Sequence, residues 1–405
     1  MIIGLVGKPN SGKSSMFKAM TMIDVKISSV PFTTIKPNIG IGHVIVDCVC
    51  KEFGVTCQPN HGLCKDGKRF VPVKIVDVAG LVPGAHEGRG LGNQFLDDLR
   101  QASVLVHIVD ATGETDEEGN PGMGDPQKDI GFLENEIDLW FASIVEKALR
   151  KFERQLVKLG KADLVSVLAE QLTGLDIEKA DVEEALDKTE RLGIELEVKN
   201  KESVVTFARE LRKLAKPIVI AANKIDLSKA QENFEIMKEK YGAADKGGTA
   251  MPAMLMIPTS AEAEIALKRA AEKGYIDYLP GNSFTTQAEL DEQQKKALEF
   301  IKMRILGKYG STGVQQCLNK AVFELLDCIV VYPVADLNKL SDKNGRVLPD
   351  AFVVPRGTTV KQLAYKVHSE LGDKFICGID VRTKIRLAAD YELEDKDVVE
   401  IMFAK

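Results

Sequence analysis

The chain has 405 residues, 44% of them apolar and 28% charged, with a net charge of −6 and a pI near 5.6. At roughly 100–200 residues per domain this length suggests two to four domains, and the ordinary apolar content argues against disorder. The acidic balance excludes a wholly basic nucleic-acid binder, so any RNA contact has to come from a local patch.

The seven cysteines, an odd number in a large chain, read most simply as reduced thiols of a cytoplasmic protein. No apolar run reaches the ~18 residues of a membrane span, and the short apolar start lacks the basic leader of a signal peptide. No membrane association is expected.

In chain order, residues 1–6 form a β-type apolar run leading directly into Gly7-Lys-Pro-Asn-Ser-Gly-Lys-Ser14. This is the Walker A spacing, placed after a strand as it should be. The glycines let backbone N–H groups turn inward around phosphates, and the helix that follows adds its partial positive charge. Lys8, Pro9, Asn10, Ser11, Gly12, Lys13, Ser14 and Ser15 are the candidate phosphate-binding residues. Lys13 is expected to reach the β- and γ-phosphates and Ser14 to ligate Mg²⁺. Thr33 and Thr34 follow in Pro31-Phe-Thr-Thr-Ile-Lys-Pro37. A Thr in such a loop can complete Mg²⁺ coordination when a γ-phosphate is present, and Thr34 is the preferred candidate.

Between the second and third strands lie Cys48, Cys50, Cys57 and Cys64, with His61 nearby. Four thiols this close could form a tetrahedral Zn²⁺ site. No C-x-x-C knuckle is present, however, and loose or redox-sensitive cysteines are the competing reading. The third strand, over residues 71–78, ends in Asp77-Val-Ala-Gly80. An Asp there can hold Mg²⁺ through water, and the Gly80 N–H can approach the γ-phosphate. Lys13, Thr34 and Gly80 are thus the candidate catalytic groups. Leu81 stands where a water-orienting Gln would help, so slow unaided hydrolysis is expected. Gly84, Gly88, Gly90 and Gly92 predict a mobile switch loop. His86 within it could approach the attacking water, although an exposed loop His is the plainer reading.

Residues 103–109 and 217–222 are near-continuous apolar runs, as in strands buried on both faces of a mainly parallel sheet. Between them, residues 129–214 show helical spacing and no convincing strand, which predicts a helical insertion with an antiparallel hairpin. Asn223-Lys-Ile-Asp226 follows the fifth strand. A carboxylate at Asp226 can accept from guanine N1–H and the N2 amino group, whereas adenine offers neither donor. Lys224 can lay its stem over the base, and Asn223 can tie the base loop to the phosphate loop. Ser260-Ala261, after the run 253–257, can present a backbone N–H to guanine O6. Residues 262–325 read as mostly helical, interrupted at Leu279-Pro-Gly-Asn282. From about residue 327 short β-like runs surround one helix.

Together these motifs resemble the Obg-like GTPases, in the YchF-type branch. Gly7–Ser14, Pro31–Thr34, Asp77-Val-Ala-Gly-Leu-Val-Pro-Gly84 and Asn223–Asp226 carry the likeness. The tail, with Leu348–Val360, His368–Gly372 and Tyr391–Ile401, resembles a TGS domain, a small β-grasp module. The resemblance implies an α/β P-loop GTPase fold, a three-layer, mainly parallel sheet with a helical insertion and a C-terminal β-grasp domain. The expected division is a discontinuous G domain (1–128 and 215–326), the insertion (129–214) and the TGS-like domain (327–405).

The resemblance also implies a translation-associated GTPase that meets ribosomes or RNA through the TGS-like domain and the insertion. In similar GTPases an Asn at the position of Asn10 helps hold K⁺; a P-loop Asn that only braces the loop is the alternative. Residues 327–405 hold 12 Lys/Arg against 13 Asp/Glu, a net of −1, so RNA binding rests on resemblance and not on charge. Some YchF-type members lack Asn-Lys-x-Asp and prefer ATP. The full motif here favours GTP hydrolysis to GDP, with Mg²⁺ and a K⁺ option. An ATP-hydrolysing variant and a docking adaptor with negligible unaided turnover remain as alternatives.

Overall fold

The computed structural model describes residues 1–22, 39–78, 98–116, 118–156, 160–197, 199–241 and 254–404. Two compact units emerge, one built mainly from Met1–Ala19 and Ile75–Cys317, the other from Ile41–Lys74 and Leu318–Lys405. Residues 41–74 therefore group with the C-terminal part of the chain, a partnership that a division at residue 327 does not include.

The principal sheet follows from the apolar runs. Its strands are β1 (Ile2–Val6), β2 (Ile39–Asp47), β3 (Leu63–Lys65), β4 (Lys68–Asp77), β5 (Val104–Asp110), β6 (Ile218–Asn223) and β7 (Met256–Pro258). The order is β2-β4-β1-β5-β6-β7, with β3 paired to β4. β1, β5, β6 and β7 are parallel, so their C-terminal ends lie along one edge. In open α/β sheets that edge is where ligands bind. Every residue of β5 is buried, as a strand covered on both faces requires. β3 and β4 form a hairpin through Asp66 (φ 53°) and Gly67 (φ 75°), left-handed conformations that an Asp-Gly turn accommodates well.

The stretch between β5 and β6 is helical: α2 (Pro126–Leu156), α3 (Lys161–Leu172), α4 (Lys179–Arg191) and α5 (Lys201–Ala215). No strand occurs there among the described residues, as its sequence pattern anticipates. Asn200 caps α5 by accepting from Glu202 N and Ser203 N. Leu133, Ile137, Trp140 and Phe141 of α2 share a buried core with Val204, Phe207 and Leu211 of α5. Not all charge in this region is solvated. Arg212 Nε meets Asp138 Oδ1 at 2.9 Å, with both side chains under 5% exposed, and Arg209 Nε meets Oδ2 at 2.9 Å. Among the described residues, removing Asp138 leaves the buried Arg212 with only the more distant Glu134, at 3.4 Å, as a carboxylate partner. Asp138→Ala is therefore expected to cost about 3–5 kcal/mol, read as a lowered urea midpoint of the full chain. An unchanged midpoint would show that the pair contributes no net stability.

After β6 come α6 (Ser228–Tyr241), β7 and α7 (Ala261–Glu272). The region 262–325, expected to be mostly helical, contains a hairpin: β8 (Ile276–Tyr278) pairs with β9 (Phe284–Thr286). Asn282 N donates to Leu279 O across the turn, and Gly281 adopts φ 88°. The sequence break at 279–282 is therefore a turn between strands too short to show alternation. Helix resumes with α8 (Glu292–Ile301) and α9 (Val314–Lys320). Among the described residues, no helix is long and apolar enough to cross a membrane.

The C-terminal domain is a five-stranded sheet. Its strands are β10 (Cys328–Val334), β11 (Phe352–Pro355), β12 (Phe375–Asp380), β13 (Arg386–Leu387) and β14 (Val398–Phe403), in the order β11-β10-β14-β12-β13. α10 (Val360–Val367) packs Leu363 and Ala364 onto Ile329, Val331 and Val399. Thr359 and Gln362 close a capping box at its start. A helix laid on a mixed sheet is the β-grasp arrangement expected for the tail, and a second, short helix at Ser369–Asp373 follows it.

Candidate functional site

The site gathers at the C-terminal ends of β1, β4, β5 and β6. β1 passes into the phosphate loop, and α1 (Lys13–Thr21) starts at its end. Asn10 takes a left-handed backbone (φ 61°), which Asn tolerates better than most residues. Gly12 (φ 93°) is required sterically, because a Cβ there would meet Asn223 Nδ2 at 2.2 Å. Ser14 is exposed, whereas Lys13 and Ser15 are partly covered. Lys13 Nζ donates to Asp77 Oδ1, which brings the end of β4 to the mouth of the loop. Ser14 and Asp77 offer only oxygen donors, the set Mg²⁺ prefers, and they are the residues that would hold it.

The base loop is latched to the phosphate loop. Asn223 Nδ2 donates to Ser11 O at 3.1 Å, and Asn223 Oδ1 accepts from Ala261 N at 3.2 Å. Buried Ser260 donates through Oγ to Asp226 Oδ1 at 2.8 Å and caps α7 by accepting from Ala263 N. Asp226 is half-buried, with its position fixed by that hydroxyl. Ser260 N is engaged with Thr312 O and Ala261 N with Asn223, so a guanine O6 taking either N–H would have to share it.

Several members of this network were not singled out from sequence. Parallel pairing sets Asp110 level with Asn223. Lys224, in a left-handed conformation (φ 65°), places its Nζ 2.8 Å from Asp110 Oδ2. Thr112 Oγ1 and backbone N also bind Asp110 Oδ1, and Thr115 Oγ1 binds Oδ2. Burial pushes the Asp110 carboxyl up, but Lys224 and Thr112 more than offset it and hold it below its usual value. Lys8 is buried and pairs with Asp129 of α2 at 2.7 Å while donating to Thr115 O at 2.9 Å. Burial raises the Asp129 carboxyl against Lys8's opposing effect. Asn10 Nδ2 donates to Gly119 O at 2.8 Å, so the segment after β5 braces Asn10 and leans on Pro9. Beneath this loop, burial and the charge of Lys8 hold His107 down at about 3, so it is neutral at any working pH.

Thr33, Thr34, Gly80, Leu81 and His86 lie outside the described residues.

Three family models match along the chain. They are a 50S ribosome-binding GTPase over residues 2–135, an Obg-like GTPase YGR210-like, G4 motif-containing domain over 221–336, and a TGS domain over 345–403. A GTP-binding protein of Methanocaldococcus jannaschii is 49% identical over 405 residues, covering 100% of this chain and 99% of its own length. The chain belongs to the Obg-like GTPase family. Obg-like relatives include the ribosome-binding ATPase YchF of Buchnera aphidicola, 26% identical over 92% of this chain and 86% of that protein. Among solved structures, a GTP-binding protein of Pyrococcus horikoshii superposes with a TM-score of 0.73 at 39% identity, each chain fully covered. In this Obg-like GTPase, Gly7–Ser14 and Asn223–Asp226 fall in the segments that the family models cover.

Proposed function

We propose that this chain binds GTP with Mg²⁺ and hydrolyses it to GDP and phosphate as a ribosome-associated switch. The observation that carries the reading is Asn223, whose side chain joins Ser11 O to Ala261 N. It supports one continuous pocket in which Asp226 accepts from guanine N1–H and N2 while Lys13 meets the phosphates. In the reaction, water adds to the γ-phosphorus and the bond to the β–γ bridging oxygen breaks. The bridging oxygen leaves on GDP, and the water protons pass to the phosphate and solvent. Mg²⁺ bound by Ser14, Asp77 and Thr34 would neutralise charge on the β- and γ-oxygens. Lys13 supplies fixed positive charge where the leaving oxygen becomes negative. As the sequence suggests, Gly80 would offer its N–H to the γ-phosphate, and Asn10 would offer its carboxamide oxygen to a K⁺ ion.

Leu81 offers no hydrogen bond to the attacking water, so turnover alone is slow. The names of the relatives support a ribosomal partner, reached through the C-terminal domain and the helical insertion. Phosphate release should be followed in K⁺ and in Na⁺, with and without large ribosomal subunits. Slow release from GTP that accelerates with K⁺ or subunits is expected. Background release under all four conditions would leave a nucleotide-binding adaptor.

A further inference from the structure

Four cysteine thiols converge in the segment that follows β2. Cys48 precedes a single 3-10 turn at Val49–Lys51 and Cys50 lies within it, Cys57 comes from the loop beyond, and Cys64 lies in β3. All four Sγ atoms fall within 4.8 Å of one another. Cys48 and Cys57 are 3.9 Å apart and Cys50 and Cys64 3.8 Å. These are not disulfides, whose sulfurs bond at about 2.05 Å. A tetrahedron of thiolates around one Zn²⁺, with Zn–S near 2.3 Å, has edges of about 3.8 Å. A polynuclear iron–sulfur cluster, which sits between its ligands, would hold the sulfurs much farther apart.

The surroundings supply the charge that such a site needs. Four thiolates on Zn²⁺ carry a net charge of −2. Arg69 is directly opposite Cys64 in the β3–β4 register, so their side chains share a face. Arg69 is fully buried, and its Nη1 and Nη2 donate to Leu348 O at 3.0 Å and Pro349 O at 2.7 Å. Among the described residues no carboxylate pairs with it, and its Nε has no partner. A buried guanidinium with only carbonyl partners calls for a nearby anion.

We infer that Cys48, Cys50, Cys57 and Cys64 bind one structural Zn²⁺, with Arg69 offsetting its charge. All four coordination positions are filled by protein, so the ion carries no substrate. Its role is to fix the segment 57–64, whose backbone holds the C-terminal domain: Gln58 N donates to Val347 O and Asn60 N to Pro349 O, both at 2.8 Å. Arg346 Nη1 also donates to Asn60 Oδ1. The metal thus fastens this loop to residues 346–350.

The test is the metal content of the full chain purified in a thiol-free phosphine reductant, by mass spectrometry. One zinc per chain is expected, and the Co²⁺-substituted protein should show the intense red absorption of a tetrahedral thiolate site. Cys57→Ser should retain about tenfold less zinc after dialysis, while Cys377→Ser, outside the cluster, keeps one. The wild-type zinc content and cobalt spectrum decide the matter if Cys57→Ser does not fold. A zinc-free wild type whose four thiols are free or joined as two disulfides would overturn the assignment, and so would a single iron in place of zinc.

Discussion

Lys13→Ala is expected to lower the GTP turnover number by about 10²–10³-fold, equivalent to roughly 3–4 kcal/mol of transition-state stabilisation. Lys13 lies at the start of α1 with its ammonium on Asp77, so two sequence-distant motifs meet at this one side chain. Alanine removes a positive charge from the place where negative charge develops on the β–γ bridging oxygen. It also leaves Asp77 without that partner. The fold should be little affected, because the pair is only partly covered, with side-chain exposures of 14% and 25%. Single-turnover phosphate release, with the thermal midpoint as control, separates the two effects. Turnover within about threefold of wild type would remove Lys13 from the mechanism.

The second large effect belongs to base recognition. Asp226→Asn should weaken GTP binding by about 10²–10³-fold, or about 3–4 kcal/mol, and spare xanthosine triphosphate. An amide at this position presents N–H where guanine also presents N–H, while the xanthine 2-carbonyl accepts from it. Asn can keep the existing contact, because its Oδ1 still accepts from Ser260 Oγ. The loss would therefore report on the base and not on a loosened loop. Fluorescence titration with both nucleotides measures it, and unchanged GTP affinity would overturn the assignment of Asp226.

What the sequence disclosed and what it hid follow a physical division. Gly7–Ser14 and Asn223–Asp226 are local: backbone conformation and chemistry are written within a few residues. In the tail only short β-like runs around a helix were legible, the β-grasp fold followed from the resemblance to a TGS domain, and the short second helix at Ser369–Asp373 was not read. The clamp on Lys224 was not, because Asp110 lies 114 positions away and reaches it only through the parallel register of β5 and β6. The Lys8–Asp129 pair was hidden for the same reason, since it joins the phosphate loop to a helix of the insertion. The hairpin at 276–286 was missed because three-residue strands show no alternation. At the cysteines, the spacing gave no knuckle because one pair comes from a turn and the other from a loop and a strand. The Asp66-Gly67 pair was the overlooked signal: it folds β3 back on β4 and carries Cys64 to the others.

The central claim is that Asp226 and its latched loop select guanine, and equilibrium competition tests it most directly. A fluorescent GDP analogue bound to the full chain with Mg²⁺ should be displaced by GTP at a concentration about 100-fold or more below that of ATP. Displacement by ATP at equal or lower concentration would contradict the claim and place the chain among the ATP-using members of its family.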